Sequence, residues 1–138
     1  MSNQQATNLL GDYTPSAVTD VTGFGLLGHL LEMFSETDLC ARIDTDRVAL
    51  LPGALELAQM EVRSTLYPQL LPYTLQCEID SSVDSALVDL LLDPQTSGGL
   101  LVTLPKEEAS QLCAALESAV EIGFVEGSHK ADERIKLV

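Results

Sequence analysis

Apolar residues recur along this chain at helical spacing in several stretches and alternate with polar residues in others, which divides it into short segments. Leu27, Leu30, Leu31 and Phe34 stand at i, i+3, i+4 and i+7, predicting a helix with one buried face that opens after Gly23 and Gly25. Val83, Ala86, Leu87, Leu90 and Leu91 form a second stripe. That helix is predicted to be capped by Ser81 or Ser82 and stopped at Asp93-Pro94, because proline disfavours the helical conformation in the residue before it. Ala109, Leu112, Cys113 and Leu116 give another helix behind Pro105, and Pro52 suits the first turn of one running through Met60.

Strands are predicted over residues 17–21, 100–104, 120–125 and 135–138, the last two joined as a hairpin by a turn around residues 127–132. Leu39, Ala41 and Ile43 alternate with Cys40, Arg42 and Asp44, as in a half-buried strand. Residues 1–15 read as the remnant of an element plus a loop. Residues 61–80, with Pro68 and Pro72, read as a long, partly irregular and mobile connection. The sum is an α+β fold, helices packed on a mixed sheet, without internal repeats.

At 138 residues, 46% hydrophobic and 20% charged, the chain suits one globular domain on a prior of roughly 100–200 residues. Charge changes the picture more. Asp and Glu number 21 against 7 Lys and Arg, a formal net charge of -14. Such a surface repels nucleic acid and anionic lipid, so neither is expected as a partner. It repels ATP as well, unless a metal ion or another polypeptide supplies positive charge. Only Arg42, Arg47 and Arg63 precede the first lysine, Lys106. The three cysteines, Cys40, Cys77 and Cys113, form no Cys-x-x-Cys pair. They are expected to be reduced thiols of a soluble, cytoplasmic protein, since neither a signal peptide nor an apolar run of about 20 residues is present.

Two loops can carry chemistry. The first runs Thr19-Asp20-Val21-Thr22-Gly23-Phe24-Gly25-Leu26-Leu27-Gly28-His29. Glycines opening a helix let backbone N–H groups approach phosphate oxygens, and Asp20 fits beside phosphates if it holds Mg²⁺. The duller alternatives are that Thr22 only caps the helix and that Gly28 only permits close packing. Gly23-Phe24-Gly25-Leu26-Leu27-Gly28 also matches G-x-G-x-x-G, with Asp44 about 20 residues on, the fingerprint of an NAD- or FAD-binding module. Against that alternative stand the uncompensated charge of Asp20 and the long connection after residue 60. The second loop is Asp93-Pro94-Gln95-Thr96-Ser97-Gly98-Gly99. It is either a helix stop with glycine turns or the wall of a polar cleft. His29 lies opposite the leucine stripe, which predicts a surface or supporting position, and His129 falls in a charged turn. No cysteine has a histidine placed to activate it, and no Gly-Lys pair of a Walker motif occurs.

Taken together, Thr19 to His29 and Asp93-Pro94-Gln95-Thr96-Ser97-Gly98-Gly99-Leu100-Leu101 resemble the selenophosphate synthetases, or selenide, water dikinases, from about residue 17 to the end. That resemblance implies a C-terminal domain like that of aminoimidazole ribonucleotide synthetase, a superfamily that includes thiamine monophosphate kinase and a hydrogenase maturation factor. ATP then binds between an N-terminal α/β domain and this α+β domain. The family reaction converts selenide, ATP and water to selenophosphate, AMP and orthophosphate, feeding selenocysteine and selenouridine synthesis. By resemblance Asp20 holds Mg²⁺, Thr22, Gly23, Phe24 and Gly25 face the nucleotide, and Gln95, Thr96 and Ser97 line the cleft or support it. The family's reactive Cys or Sec, its lysine, glycine-rich segment and further metal-binding aspartates belong to an N-terminal half that has no counterpart here. Residues 1–138 are therefore expected to form a single C-terminal domain that partners the missing half of a homodimeric parent, and that contains no catalytic residue and has no dikinase activity alone. A non-catalytic scaffold domain is the remaining alternative.

Overall fold

The computed structural model describes residues 3–127 and 133–138. The turn expected around residues 127–132, and His129 within it, fall largely outside them. Helix α1 (Gln4–Leu10) precedes strand β1 (Ala17–Asp20), helix α2 (Gly25–Phe34) and strand β2 (Leu39–Ile43). After a 3-10 turn at Thr45–Arg47 come α3 (Ala54–Gln59), α4 (Tyr67–Leu70), a 3-10 helix over Leu71–Gln76 and β3 (Cys77–Ile79). Helix α5 (Ser85–Leu92), β4 (Leu100–Thr103), α6 (Lys106–Ala115), β5 (Gly123–Gly127) and β6 (Ile135–Leu137) complete the order. This is an α+β fold. No helix among the described residues is long and apolar enough to cross a membrane.

The strands form two sheets. β1 and β4 make an antiparallel pair, and the other four follow the order β3-β6-β2-β5. β6 is parallel to both β2 and β3, while β5 is antiparallel to β2. The expected closing hairpin does not form: β5 and β6 lie on opposite edges of β2 and never pair. The reason is apolar. Ile135 and Leu137 are fully buried, whereas Phe124 and Val125 of β5 are exposed, so the more apolar strand takes the inner position. The glycine fingerprint fails on the same topology. A dinucleotide-binding unit needs the strands flanking its helix side by side and parallel, but β1 and β2 occupy different sheets.

Helix α2 is central. Its predicted face, Leu27, Leu30, Leu31 and Phe34, is buried with Ala41, Ile43, Ile135 and Leu137 of the larger sheet and with Val88, Leu91 and Leu92 of α5. Full burial of one such leucine contributes about 1.5–3 kcal/mol. The opposite side of α2 is covered too, since a Cβ on Gly28 would lie 2.9 Å from the Tyr73 ring. β2 departs from simple alternation: Cys40 is buried and Leu39 exposed.

The connection from residue 61 to 80 is organised rather than irregular. Arg63 pairs with the Asp89 carboxylate of α5, stacks 5.4 Å over the Tyr67 ring and donates to the Ala58 carbonyl at 2.7 Å. The Tyr67 hydroxyl donates to the same carboxylate. Composition hid this because the cluster is polar and spans three elements.

Two boundaries also differ from expectation. Helix α3 starts after Gly53, at φ 81°, and not at Pro52. It ends in a Schellman motif, with Glu61 N–H donating to Ala58 and Val62 N–H donating to Leu57. The left-handed position is filled by Glu61 at φ 62°, where glycine is the unstrained residue. Helix α5 is capped by Asp84, not by Ser81 or Ser82: its carboxylate accepts from the Ala86 N–H at 2.9 Å and from the Gln59 amide at 3.0 Å. Ser82 instead donates to Asp80.

Glu61→Gly is expected to raise stability by up to about 1 kcal/mol in urea titration, the left-handed strain relieved less the extra backbone entropy of glycine. Asp84 supplies a pH-dependent check. The Ala86 N–H, and then the Gln59 amide, hold its carboxyl below the ordinary range. A depressed carboxyl stabilises the fold above its unfolded titration range and loses that contribution as pH falls through the folded one. Asp84→Ala should therefore melt below wild type at neutral pH, with the gap closing in acid.

Candidate functional site

Strand β1 ends at Asp20, whose carboxylate is exposed and makes no hydrogen bond or ion pair among the described residues. Val21 turns inward and is buried. The chain then makes a tight turn, Gly25 N–H donating to the Thr22 carbonyl at 3.1 Å, and enters α2. Gly25 sits at φ 65°, and a Cβ there would lie 2.5 Å from the Leu92 carbonyl oxygen. Only glycine allows both the backbone angle and this approach of α2 to the end of α5. Gly25 is thus buried, and its visible role is packing. Gly23 is exposed with open space around it, and Phe24 is half-exposed.

The second loop is laced to the first by backbone. Val21 N–H donates to the Gly99 carbonyl at 3.0 Å, and Gln95 N–H donates to the Thr22 carbonyl at 2.9 Å. A Cβ on Gly98 would stand 2.1 Å from the Val21 carbonyl oxygen, so this approach too requires glycine. The Gln95 side chain donates to the Asp93 carbonyl at 3.1 Å, and the Asp93 carboxylate accepts from the Ser64 N–H at 3.3 Å. Thr96 and Ser97 are exposed. The structure therefore brings together Asp20, Thr22, Gly23 and Phe24 on one loop with Gln95, Thr96 and Ser97 on the other.

They do not share one hollow. A cleft of about 620 Å³ lies between the 93–99 loop and residues 48–51, with Gln95, Thr96 and Ser97 on its wall. Asp20, Thr22, Gly23 and Phe24 stand outside it; Asp20, Gly23 and Phe24 are exposed, and Thr22 is half-buried. Among the described residues no three His, Cys, Asp or Glu side chains are grouped to hold a metal ion. Asp20 fits a divalent cation as a single free carboxylate, and Mg²⁺ ordinarily takes one or two together with water and substrate phosphates.

Two of the three thiols, Cys40 and Cys77, are unsuited to nucleophilic work. Burial, with a smaller contribution from Cys40, pushes Cys77 up to about 12. Burial also raises Cys40, reinforced by Glu126 and Glu78. Both stay protonated at neutral pH.

His29 takes the supporting one of the two positions that periodicity allows, and not the surface one. It is buried at 5% exposure, because the 21–24 turn folds back over the helix face opposite the leucines. Its Nε2 lies 3.0 Å from the Thr22 N–H and 3.0 Å from Thr22 Oγ1. The available signal was its spacing: a histidine seven residues after a threonine, across a glycine turn, reaches back to that threonine.

Residues 4–136 match the family described as AIR synthase related protein, C-terminal domain. The chain is 37% identical over 126 residues to the selenide, water dikinase of Clostridioides difficile (strain 630), a match covering 89% of this chain and 36% of that protein. It is 36% identical over 145 residues to the selenide, water dikinase of Treponema denticola, covering 99% of this chain and 40% of the relative. The protein of the same description from Pelobacter propionicus is 40% identical over 127 residues, 36% of its length. The chain thus spans less than half the length of the curated relatives it matches.

Replacing Gly98 by alanine should part the two loops. We expect clear destabilisation in denaturant titration, with faster exchange of the Val21 and Gln95 amide protons. Gly99→Ala, with nothing within 4 Å of the added Cβ, should change neither.

Proposed function

Because the chain belongs to the AIR synthase related protein family as a C-terminal domain, we propose that it supplies one wall of the nucleotide site of a selenide, water dikinase. Residues 1–138 act as a single domain, and an N-terminal domain supplies the opposite wall and the nucleophile. The reaction is that of the resembling family: selenide, ATP and water give selenophosphate, AMP and orthophosphate, in the cytoplasm.

The observation that carries this reading is the free carboxylate of Asp20, exposed at a strand end beside a glycine turn that is laced to a second polar loop. A chain of net charge -14 repels a polyphosphate, so it needs a cation between itself and the nucleotide. Asp20 would hold Mg²⁺, which supplies neutralisation of phosphate charge when bound. Gly23 and Phe24 are exposed on the turn that follows Asp20, and Thr96 and Ser97 offer hydroxyl groups from the neighbouring loop. Phosphoryl transfer rests on positioning and charge neutralisation, and one carboxylate with hydroxyls gives only part of each. The isolated chain is accordingly inactive on this reading.

Joined behind the N-terminal part of the Clostridioides difficile relative, the chain is expected to complete an enzyme that releases AMP from ATP when selenide is present. Asp20→Ala in that fusion should lower the Mg²⁺-dependent rate on the order of a hundredfold or more. Full activity in the variant would remove Asp20 from the mechanism and the proposal with it.

A further inference from the structure

We propose that His29 is a positioning residue that fixes Thr22 as a hydrogen-bond acceptor toward the nucleotide side, so that its hydroxyl serves the cation and not a phosphate oxygen. The inference rests on the function proposed above for its setting, but the geometry behind it belongs to the chain alone.

A backbone N–H can only donate. The Thr22 N–H meets Nε2 of His29 at 3.0 Å, so Nε2 carries a lone pair and the ring proton resides on Nδ1. The Thr22 hydroxyl lies 3.0 Å from the same Nε2 and, facing a nitrogen without a proton, donates to the lone pair that it shares with the amide in a three-centre arrangement. Its own hydrogen is thereby turned toward the ring, and its lone pairs are left pointing away. An oxygen presented in this manner suits a metal ion, a metal-bound water or an N–H donor, and it repels a phosphate oxygen.

The far side of the ring agrees with this tautomer. Nδ1 is buried and has no hydrogen-bond partner among the described residues. The Glu32 carboxylate one helical turn on stands 3.5 Å away, longer than a full hydrogen bond but on the side where a Nδ1 proton is attracted. Carboxylate, imidazole and hydroxyl in this order superficially match a nucleophile triad. Here the Thr22 amide shares the ring's single lone pair with the hydroxyl, which weakens the imidazole as a base toward that hydroxyl. Phe24 closes the remaining approach, its ring centroid 5.6 Å from that of His29. The ring is a fixed strut.

Glutamine can place a carbonyl oxygen near the position of Nε2, whereas asparagine reaches only as far as Nδ1. Long-range ¹⁵N–¹H correlation on the unsubstituted chain should show His29 with a protonated Nδ1 and a pyridine-type Nε2; the opposite tautomer would overturn the proposal. His29→Asn should speed Thr22 amide exchange about five- to tenfold, the size of one hydrogen bond, and His29→Gln should leave it near the wild-type rate. In the fusion enzyme, His29→Asn should lower kcat/KM for Mg·ATP about 10- to 100-fold, as for loss of an outer partner of a metal site, with His29→Gln restoring most of it. Equal losses in the two variants would overturn the proposal. If Asp20→Ala were harmless while the tautomer and exchange results held, the cation assignment would fall and the strut would stand.

Discussion

Contact between the Val21 carbonyl and Gly98 is the constraint on which the candidate site depends. It brings two loops that are more than seventy residues apart in sequence within backbone hydrogen-bonding distance. Their shared surface exists because a missing side chain at one point lets the Val21 and Gln95 amides find carbonyl partners across the gap. Buried backbone groups of this kind must be paired, so opening the seam would expose several costs together.

Much of the framework was legible in sequence because the signals are local. The leucine spacing of α2, the Asp93-Pro94 stop after α5 and the short strand before Asp20 all follow from periodicity and proline chemistry. What was not legible depends on long-range geometry. The pairing of β6 between β2 and β3 reflects competition among strands for burial, which no single window contains. The Arg63, Tyr67 and Asp89 cluster draws three polar residues from separate elements, and their composition suggested only a loop.

The candidate site divides on the same line. The two motif loops were identifiable, and their adjacency gives physical sense to their joint occurrence. Gly25 read as a residue facing the nucleotide, yet the structure uses it for helix packing, because a glycine needed for close approach to a neighbouring element has the same letter as one needed beside a phosphate. For His29 the periodicity leaves a surface or a supporting position open, and the structure takes the second. Helix α2 is enclosed on both sides, so a polar ring on its second face becomes interior and must find partners there.

The position of β6 in the larger sheet bears on how the molecule is made. β2, β3 and β5 all precede it in the chain, yet β3 is joined to the sheet only through β6, and Ile135 and Leu137 are both fully buried. During synthesis the earlier strands emerge without the ribbon that joins β3 to β2, leaving their facing edges unsatisfied and part of the α2 face uncovered. Assembly of this sheet is therefore a late, cooperative event, awaiting residues near 137 before its first parallel pairing can form.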